Sequence, residues 1–305
     1  MDFGRLPNIE NVDFSLPPTP PETLELLRKS DKGKPTKIYI GCPVWGEKEW
    51  VGKIYPPGTK PKEFLHYYAT QFNSIELNGT HYNFPSEILI EKWKADVLPN
   101  FKFCPKLSQN ISHFQRLVNT QGMVDDFCGA IRYLEEHLGT CFLQLPPNFT
   151  PKGIDDVIRF VEYWPKDVPL SVEFRHTDWF SDKAIQNEVF AALQYHTIGT
   201  VITDVAGRRD ACHQRLTNDT VFIRFGANNL HPTDYPRMEA WAAQLHQWIE
   251  LGAKTVYFFL HTPIKHYNLE LAIYMVNTLN QMGYNLKAPY EFKKPEKINP
   301  QNSLF

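Results

Sequence analysis

The chain is poor in cysteine, with five in 305 residues: Cys42, Cys104, Cys128, Cys141 and Cys212. They are odd in number, widely spaced and form no C-x-x-C pair. This argues against a disulfide framework or a cysteine-held structural zinc, and for free thiols in a reducing compartment. Long apolar runs are also missing; none approaches the roughly 20 residues that span a bilayer, so no membrane partner is expected. Residues 1–7 lack the charged-then-apolar plan of a secretory signal, which makes a cytoplasmic location the expectation. Neither charge sign dominates: 32 Lys and Arg against 34 Asp and Glu leave a formal charge of -2. That balance excludes a global attraction to nucleic acid, though it leaves room for a local basic cleft. There is no internal repeat, no low-complexity segment, and no H-E-x-x-H or H-x-x-x-H metal spacing.

What the chain does have is rhythm. Eight short apolar runs, at 39–42, 74–78, 101–106, 141–146, 171–176, 200–204, 221–226 and 256–261, each end in polar or reactive residues. Stretches with helical spacing of apolar residues lie between many of them, and Gly139, Gly252 and Gly283 stand where helices should stop. Eight strands at helix-length intervals predict a single α/β chain folded as a (β/α)8 barrel of the TIM type, over residues 37–287. Residues 1–36, with Leu16-Pro17-Pro18-Thr19-Pro20-Pro21 at their centre, form a proline-rich arm, expected to be clamped on the barrel surface. Residues 288–305 read as a polar tail.

Alternation along the strands then separates inside from outside. Ile75 and Leu77, Val172 and Phe174, and Ile223 and Phe225 suit the helix layer, which turns Glu76, Asn78, Glu173, Arg175 and Arg224 inward. The same parity assigns Lys106, Gln144, Asp204 and His261 to the inner rim. Enclosed charges cost several kcal/mol unless paired, so these residues must form a network or meet a ligand. A salt-bridge layer that only closes the barrel is one reading. The gathering of charge at the C-terminal strand ends, where barrel enzymes hold their sites, favours a functional mouth.

Several segments together resemble the YecE-like family, a domain of unknown function (DUF72). They are Ile40-Gly41-Cys42-Pro43-Val44-Trp45, the Trp50–Pro56 stretch, Ser74-Ile75-Glu76-Leu77-Asn78-Gly79-Thr80-His81-Tyr82, Phe101-Lys102-Phe103 with Lys106, Ile111-Ser112-His113, Gln144-Leu145-Pro146-Pro147, and Val172-Glu173-Phe174-Arg175-His176-Thr177-Asp178-Trp179. The resemblance implies a TIM-type barrel and brings no established activity or catalytic residues. The chain departs from the family's usual Gly-Thr-Ser-Gly-Trp at Gly41-Cys42-Pro43-Val44-Trp45, and from its Phe-Asn-Asn at Phe259-Leu260-His261.

The residue set fits several chemistries. Lys106, Arg175 and Arg224 converging on one mouth suit phosphate, with Glu76 or Glu173 as general base or acid and Asp204 orienting. Trp45, Tyr82 and Trp179 would wall the pocket, and Asn78, Gln144, His176 and His261 would line it. A phosphorylated metabolite or a nucleic-acid-derived phosphodiester is then the expected ligand, hydrolysis the expected reaction, and no cofactor is required. Alternatives are a glycosidase pair of Glu76 and Glu173, a divalent metal held by Glu76, Glu173, Asp204 and His261, and a Cys42 nucleophile. Of a different class is the ending Gln301-Asn302-Ser303-Leu304-Phe305, which resembles the peptide that bacterial proteins dock on the DNA sliding clamp; Gln301, Leu304 and Phe305 would be its contacts.

Overall fold

The structure is a computed structural model that describes residues 3–31, 33 and 35–290. Helix α1 (Pro21–Lys29) follows an extended arm, and strand β1 (Lys37–Cys42) opens the barrel. The chain continues through α2 (Phe64–Gln71), β2 (Ser74–Leu77), α3 (Glu87–Asp96), β3 (Lys102–Pro105), α4 (Gln121–Arg132) and β4 (Cys141–Gln144). The second half comprises α5 (Ile154–Tyr163), β5 (Leu170–Glu173), the short α6 (Asp178–Ser181), α7 (Lys183–Tyr195), β6 (Gly199–Asp204), β7 (Thr220–Gly226), α8 (Asp234–Leu251), β8 (Thr255–His261) and α9 (Asn268–Gln281).

All strand pairs are parallel, in the order β3-β2-β1-β8-β7-β6-β5-β4. Single bridges at Phe103–Leu138 and Lys106–Phe142, with Leu107 N–H donating to Phe142 O at 3.0 Å, join β3 to β4 and close the ring. Eight strands leave an interior just wide enough for side chains to fill. Tyr39, Cys104, Phe142, Val201, Phe222, Tyr257 and Phe259 pack it, with the Tyr39 and Tyr257 rings stacked at 5.0 Å. The polar residues two positions past Cys104, Phe142, Val201, Phe222 and Phe259, together with Glu76 of β2 and Glu173 of β5, lie above this plug, at the C-terminal mouth. The alternate residues, such as Ile75, Leu143, Val172, Ile202, Ile223 and Phe258, belong to the larger core shared with the helices.

One crossover departs from the repeat. Between β6 and β7 the chain makes only a three-residue 3-10 turn, Arg209–Ala211, so no crossover helix covers that part of the sheet. The N-terminal arm takes its place. Thr23 Oγ1 donates to Gln214 O and accepts from Leu216 N–H, Glu22 pairs with Arg215 at 2.8 Å, and Trp248 Nε1 donates to Thr19 Oγ1. The Arg237 guanidinium is sandwiched between the rings of Phe14 and Phe225, 4.5 and 4.4 Å from their centroids. Glycine is needed at both ends of the arm. At Gly4 (φ 66°) a Cβ would stand 2.4 Å from Val205 while its carbonyl accepts from Gly207 N–H; at Gly252 (φ 135°), where α1 crosses the end of α8, a Cβ would stand 2.2 Å from Leu27 O.

This region also corrects the expected inward position of Asp204. Val201 and Thr203 face the interior, and Asp204, next along β6, turns outward beneath α8. There its carboxylate accepts from Arg237 Nη2 (2.9 Å) and Trp241 Nε1 (2.8 Å) and pairs with Arg209. Burial raises its pKa, but Arg237 and Arg209 outweigh burial and hold it below the usual carboxylate value. Asp204 therefore anchors the arm-side cations and takes no part in the mouth. Removing its charge leaves two arginines short of a buried partner, so Asp204→Asn should cost about 3 kcal/mol in urea-induced unfolding. A loss below about 0.5 kcal/mol, the scale of an ordinary surface change, would contradict this role.

Candidate functional site

The floor of the mouth is a closed network of two buried carboxylates. Both Glu76, at the end of β2, and Glu173, at the end of β5, have 0% exposure. Arg224, from β7, forks between them. Its Nε and Nη2 donate to Glu76 Oε2 and Oε1, both at 2.9 Å, and its Nη1 donates to Glu173 Oε2 at 2.8 Å. The remaining acceptor positions are also taken. Glu76 Oε1 accepts from Asn78 Nδ2 (3.0 Å) and Oε2 from His261 Nε2 (2.8 Å). Glu173 Oε1 accepts from Arg175 Nε (2.9 Å) and Thr203 Oγ1 (3.0 Å), and Oε2 from Gln144 Nε2 (2.8 Å). Every carboxylate oxygen thus has two donors, which is the full capacity of its lone pairs.

The electrostatics follow. Burial is the largest influence on both glutamates and pushes their pKa values up. For Glu76, Arg224 and then His261 reverse this and hold it well below the usual range; for Glu173, Arg175 and Arg224 hold it at about 2. Burial takes His261 down to about 4 against the pull of Glu76, so its imidazole is neutral at pH 7. Lys106, just past β3, donates to Gln144 Oε1 at 2.8 Å; burial, followed by the charge of Arg224, brings its ammonium down to about 8. The imidazoles of His81 and His113, 5.1 Å apart, are held at about 4 by burial and then by the positive charge of Lys106.

Above this floor opens a cavity of about 400 Å³, lined by Phe3, Pro43, Val44, Asn78, Lys106, Gln144, Arg175, Arg224, His261 and Lys265. Eight of the sequence-predicted residues meet at the mouth: Glu76, Asn78, Lys106, Gln144, Glu173, Arg175, Arg224 and His261. Others do not reach it. Trp45 packs edge-on against Trp93 on α3, although its neighbours Pro43 and Val44 line the cavity. Trp179 is fully buried between Phe149 and Phe174 and donates its Nε1–H to Phe149 O, so it is core. Tyr82 is 65% exposed and stands outside the cavity. His176 accepts from Asp178 N–H in the turn after β5. The proposed metal set is not assembled, since Asp204 faces outward and Arg224 lies between the glutamates; among the described residues no group of three or more potential ligands comes together. The Cys42 thiol is buried behind β1, and burial pushes its pKa up. Gln301, Leu304 and Phe305 lie outside the described residues.

Five contributors were not foreseen, among them Pro43 and Val44, which line the cavity beside the expected Trp45. Thr203 needed the register of β6, which its sequence leaves ambiguous. Lys265 opens a 3-10 turn after β8, Lys265–Tyr267, which carries no motif. Phe3 reaches the mouth only because the arm returns there, and its ring lies 4.3 Å from the Arg175 guanidinium carbon.

Fold and site together define a TIM-type (β/α)8 barrel with a charged C-terminal mouth. The chain belongs to the family described as "Protein of unknown function DUF72", whose profile matches residues 39–296. It is 29% identical over 244 residues to the UPF0759 protein YecE of Escherichia coli K12, covering 74% of this chain and 86% of that protein. The UPF0759 protein YunF of Bacillus subtilis 168 is 30% identical over 151 residues, 47% of this chain and 52% of that one. Among solved structures, a DUF72 family protein from Thermotoga maritima MSB8 superposes with a TM-score of 0.64 at 23% identity, over 81% of this chain and 100% of that one. Another from Enterococcus faecalis V583 gives 0.66 at 18%, over 84% and 100%. These structural likenesses show the fold. Among the described residues no helix is long and apolar enough to cross a membrane.

If Arg224 holds the floor together, Arg224→Met should destabilise the protein by roughly 3–5 kcal/mol at pH 7. The pH dependence should also reverse. In the parent, Glu173 titrates at about 2, below its unfolded value of about 4.3, so its contribution is full above the unfolded pKa and is lost as pH falls. In the variant Glu173 keeps Arg175, but Glu76 loses its guanidinium and burial raises its pKa, so stability should decline as pH rises from 4.5 to 7.5. Unchanged pH profiles in denaturant titrations would refute this.

Proposed function

We propose that the barrel mouth binds a small phosphorylated ligand. The observation that carries this reading is the charge of the cavity lining: Lys106, Arg175, Arg224 and Lys265 are there, and among the described residues no carboxylate lines it. The two glutamates below it are neutralised by Arg224 and Arg175, which leaves the ammonium groups of Lys106 and Lys265 as surplus positive charge. Cationic donors in a partly desolvated pocket make strong charge-assisted bonds to phosphate oxygens. A volume of about 400 Å³, narrowed by Phe3, suits a sugar phosphate or a single nucleotide better than a duplex, whose binding the chain's net charge of -2 does not assist.

Phosphoester hydrolysis remains the favoured reaction class only with a base other than Glu76 or Glu173. Both are fully supplied with donors and ionised, so they position Arg224 and Arg175 and have no capacity left to take a proton. The neutral imidazoles of His81 and His113, neighbours of Lys106, are the bases at hand.

Thermal-shift and calorimetric titrations with inorganic phosphate and a panel of sugar phosphates test the reading. The parent should be stabilised, and Lys106→Gln and Lys265→Gln should each weaken binding by roughly tenfold, the value of one charge-assisted hydrogen bond. Affinity should also fall as pH rises through about 8, where Lys106 loses its charge, while a phosphate monoester, with a second pKa of about 6, is already a dianion. The absence of any shift with phosphate or with every sugar phosphate would remove the proposal.

A further inference from the structure

The position of Lys106 among its neighbours is unusual for a lysine that only binds an anion. The two arginines around it are each paired with a glutamate, whereas among the described residues no carboxylate lies within ion-pair distance of Lys106 Nζ. The one partner found for Nζ is the amide oxygen of Gln144. That amide is oriented by its other end, because Gln144 Nε2 donates to Glu173 Oε2, an atom that can only accept. A neutral amide therefore stands between the lysine and Glu173. Nζ is held at the cavity wall while the charge that would fix it as an ammonium is kept one side chain away.

We propose that Lys106 is a Schiff-base nucleophile and that the mouth takes an aldehyde or ketone carrying a phosphate group; this rests on the anion-binding reading of the same cavity. Lys265 and Arg175 line the same cavity and would hold the phosphate with the help of the Lys106 charge, while the fraction of Lys106 that is neutral meets the carbonyl carbon. The neutral amine adds to that carbon, and a proton from nitrogen passes to the carbonyl oxygen to give a carbinolamine. The C–O bond then breaks as that oxygen takes up a further proton and departs as water, leaving a protonated iminium. Overall one lysine ammonium and one carbonyl give one iminium and one water, with no oxidant or reductant. His81 Nδ1 donates to Leu107 O at 2.6 Å, so its Nε2 carries a lone pair; the ring is near enough for the charge of Lys106 to lower its pKa, and it would relay the protons. The depressed ammonium, at about 8, leaves half of Lys106 neutral at pH 8, roughly a hundredfold more than an ordinary lysine of pKa about 10.4. Lysines desolvated beside other cations are activated for this chemistry in the same way.

Borohydride trapping tests the proposal. The full chain is incubated at pH 8 with glyceraldehyde 3-phosphate and cyanoborohydride, and the adducts are located by peptide mass mapping. Lys106 should be labelled at least about tenfold ahead of every other lysine, and inorganic phosphate should suppress that labelling alone. Lys106→Arg should remove the dominant adduct while retaining the parent's melting temperature; the phosphate protection in the parent serves as the readout if that variant does not fold. Labelling spread over the lysines without enrichment at Lys106 overturns the Schiff base. If phosphate stabilises the protein but Lys106 is not trapped, the nucleophile fails and the anion site stands. If propanal labels Lys106 as well as the phosphorylated aldehyde does, without protection by phosphate, the anion site fails.

Discussion

Burying two carboxylates at the top of a barrel plug costs more than any single contact there returns, and the Arg224 fork is what makes it tolerable. One guanidinium spans the ends of β2 and β5 from β7, and Arg175 completes the balance of two negative and two positive charges. Planar geometry matters as much as charge: only an arginine presents parallel donors to one carboxylate and a third to another. A shift of two residues along β2 or β5 would leave an ionised carboxylate facing the aromatic plug of Phe142, Phe222 and Phe259. The network therefore ties strand register to the electrostatics of the mouth.

With the acids committed downward, the upper surface of the network differs in character from its floor. Asn78, Gln144 and His261 each use one polar group on a glutamate and stand at the cavity wall. They pass the order of the floor upward without passing on its negative charge. Gln144 shows this most clearly, since its amide converts a carboxylate on one side into a neutral acceptor on the other. A mouth lined by cations thus sits directly on two buried glutamates. In this arrangement Glu76 and Glu173, expected as an acid-base pair, hold the guanidinium groups of Arg224 and Arg175.

Much of this was legible in the chain. The period of two places Glu76, Glu173 and Arg224 opposite apolar neighbours that need the helix layer, and alternation alone turns them inward. At β6 the same logic fails because Thr200, Val201, Ile202 and Thr203 suit either face. Asp204 is decided by Arg237, 33 residues away on a helix, a partner that no local pattern reveals. Trp45 and Trp179 mislead for another reason: they adjoin mouth residues in sequence, but the turns after β1 and β5 send them into packing against Trp93 and Phe149. Phe3 is separated from every strand by the arm and is placed by tertiary structure alone.

The substitution of an N-terminal arm for a crossover helix carries a consequence for how the chain comes together. The contacts of Thr19 and Thr23 with Trp248 and Gln214 join residues 229 and 191 positions apart. On the ribosome the N-terminal half emerges first, so the arm is made before anything it covers exists. The β6–β7 face lacks its outer layer until the arm returns to seal it. Closure of such distant pairs is slow because loop entropy must be lost before contacts form. The arm must therefore wait for the β6–β7 segment and α8 before it can dock, and the same docking brings Phe3 over the mouth, so the cavity acquires its final shape only once the arm is in place.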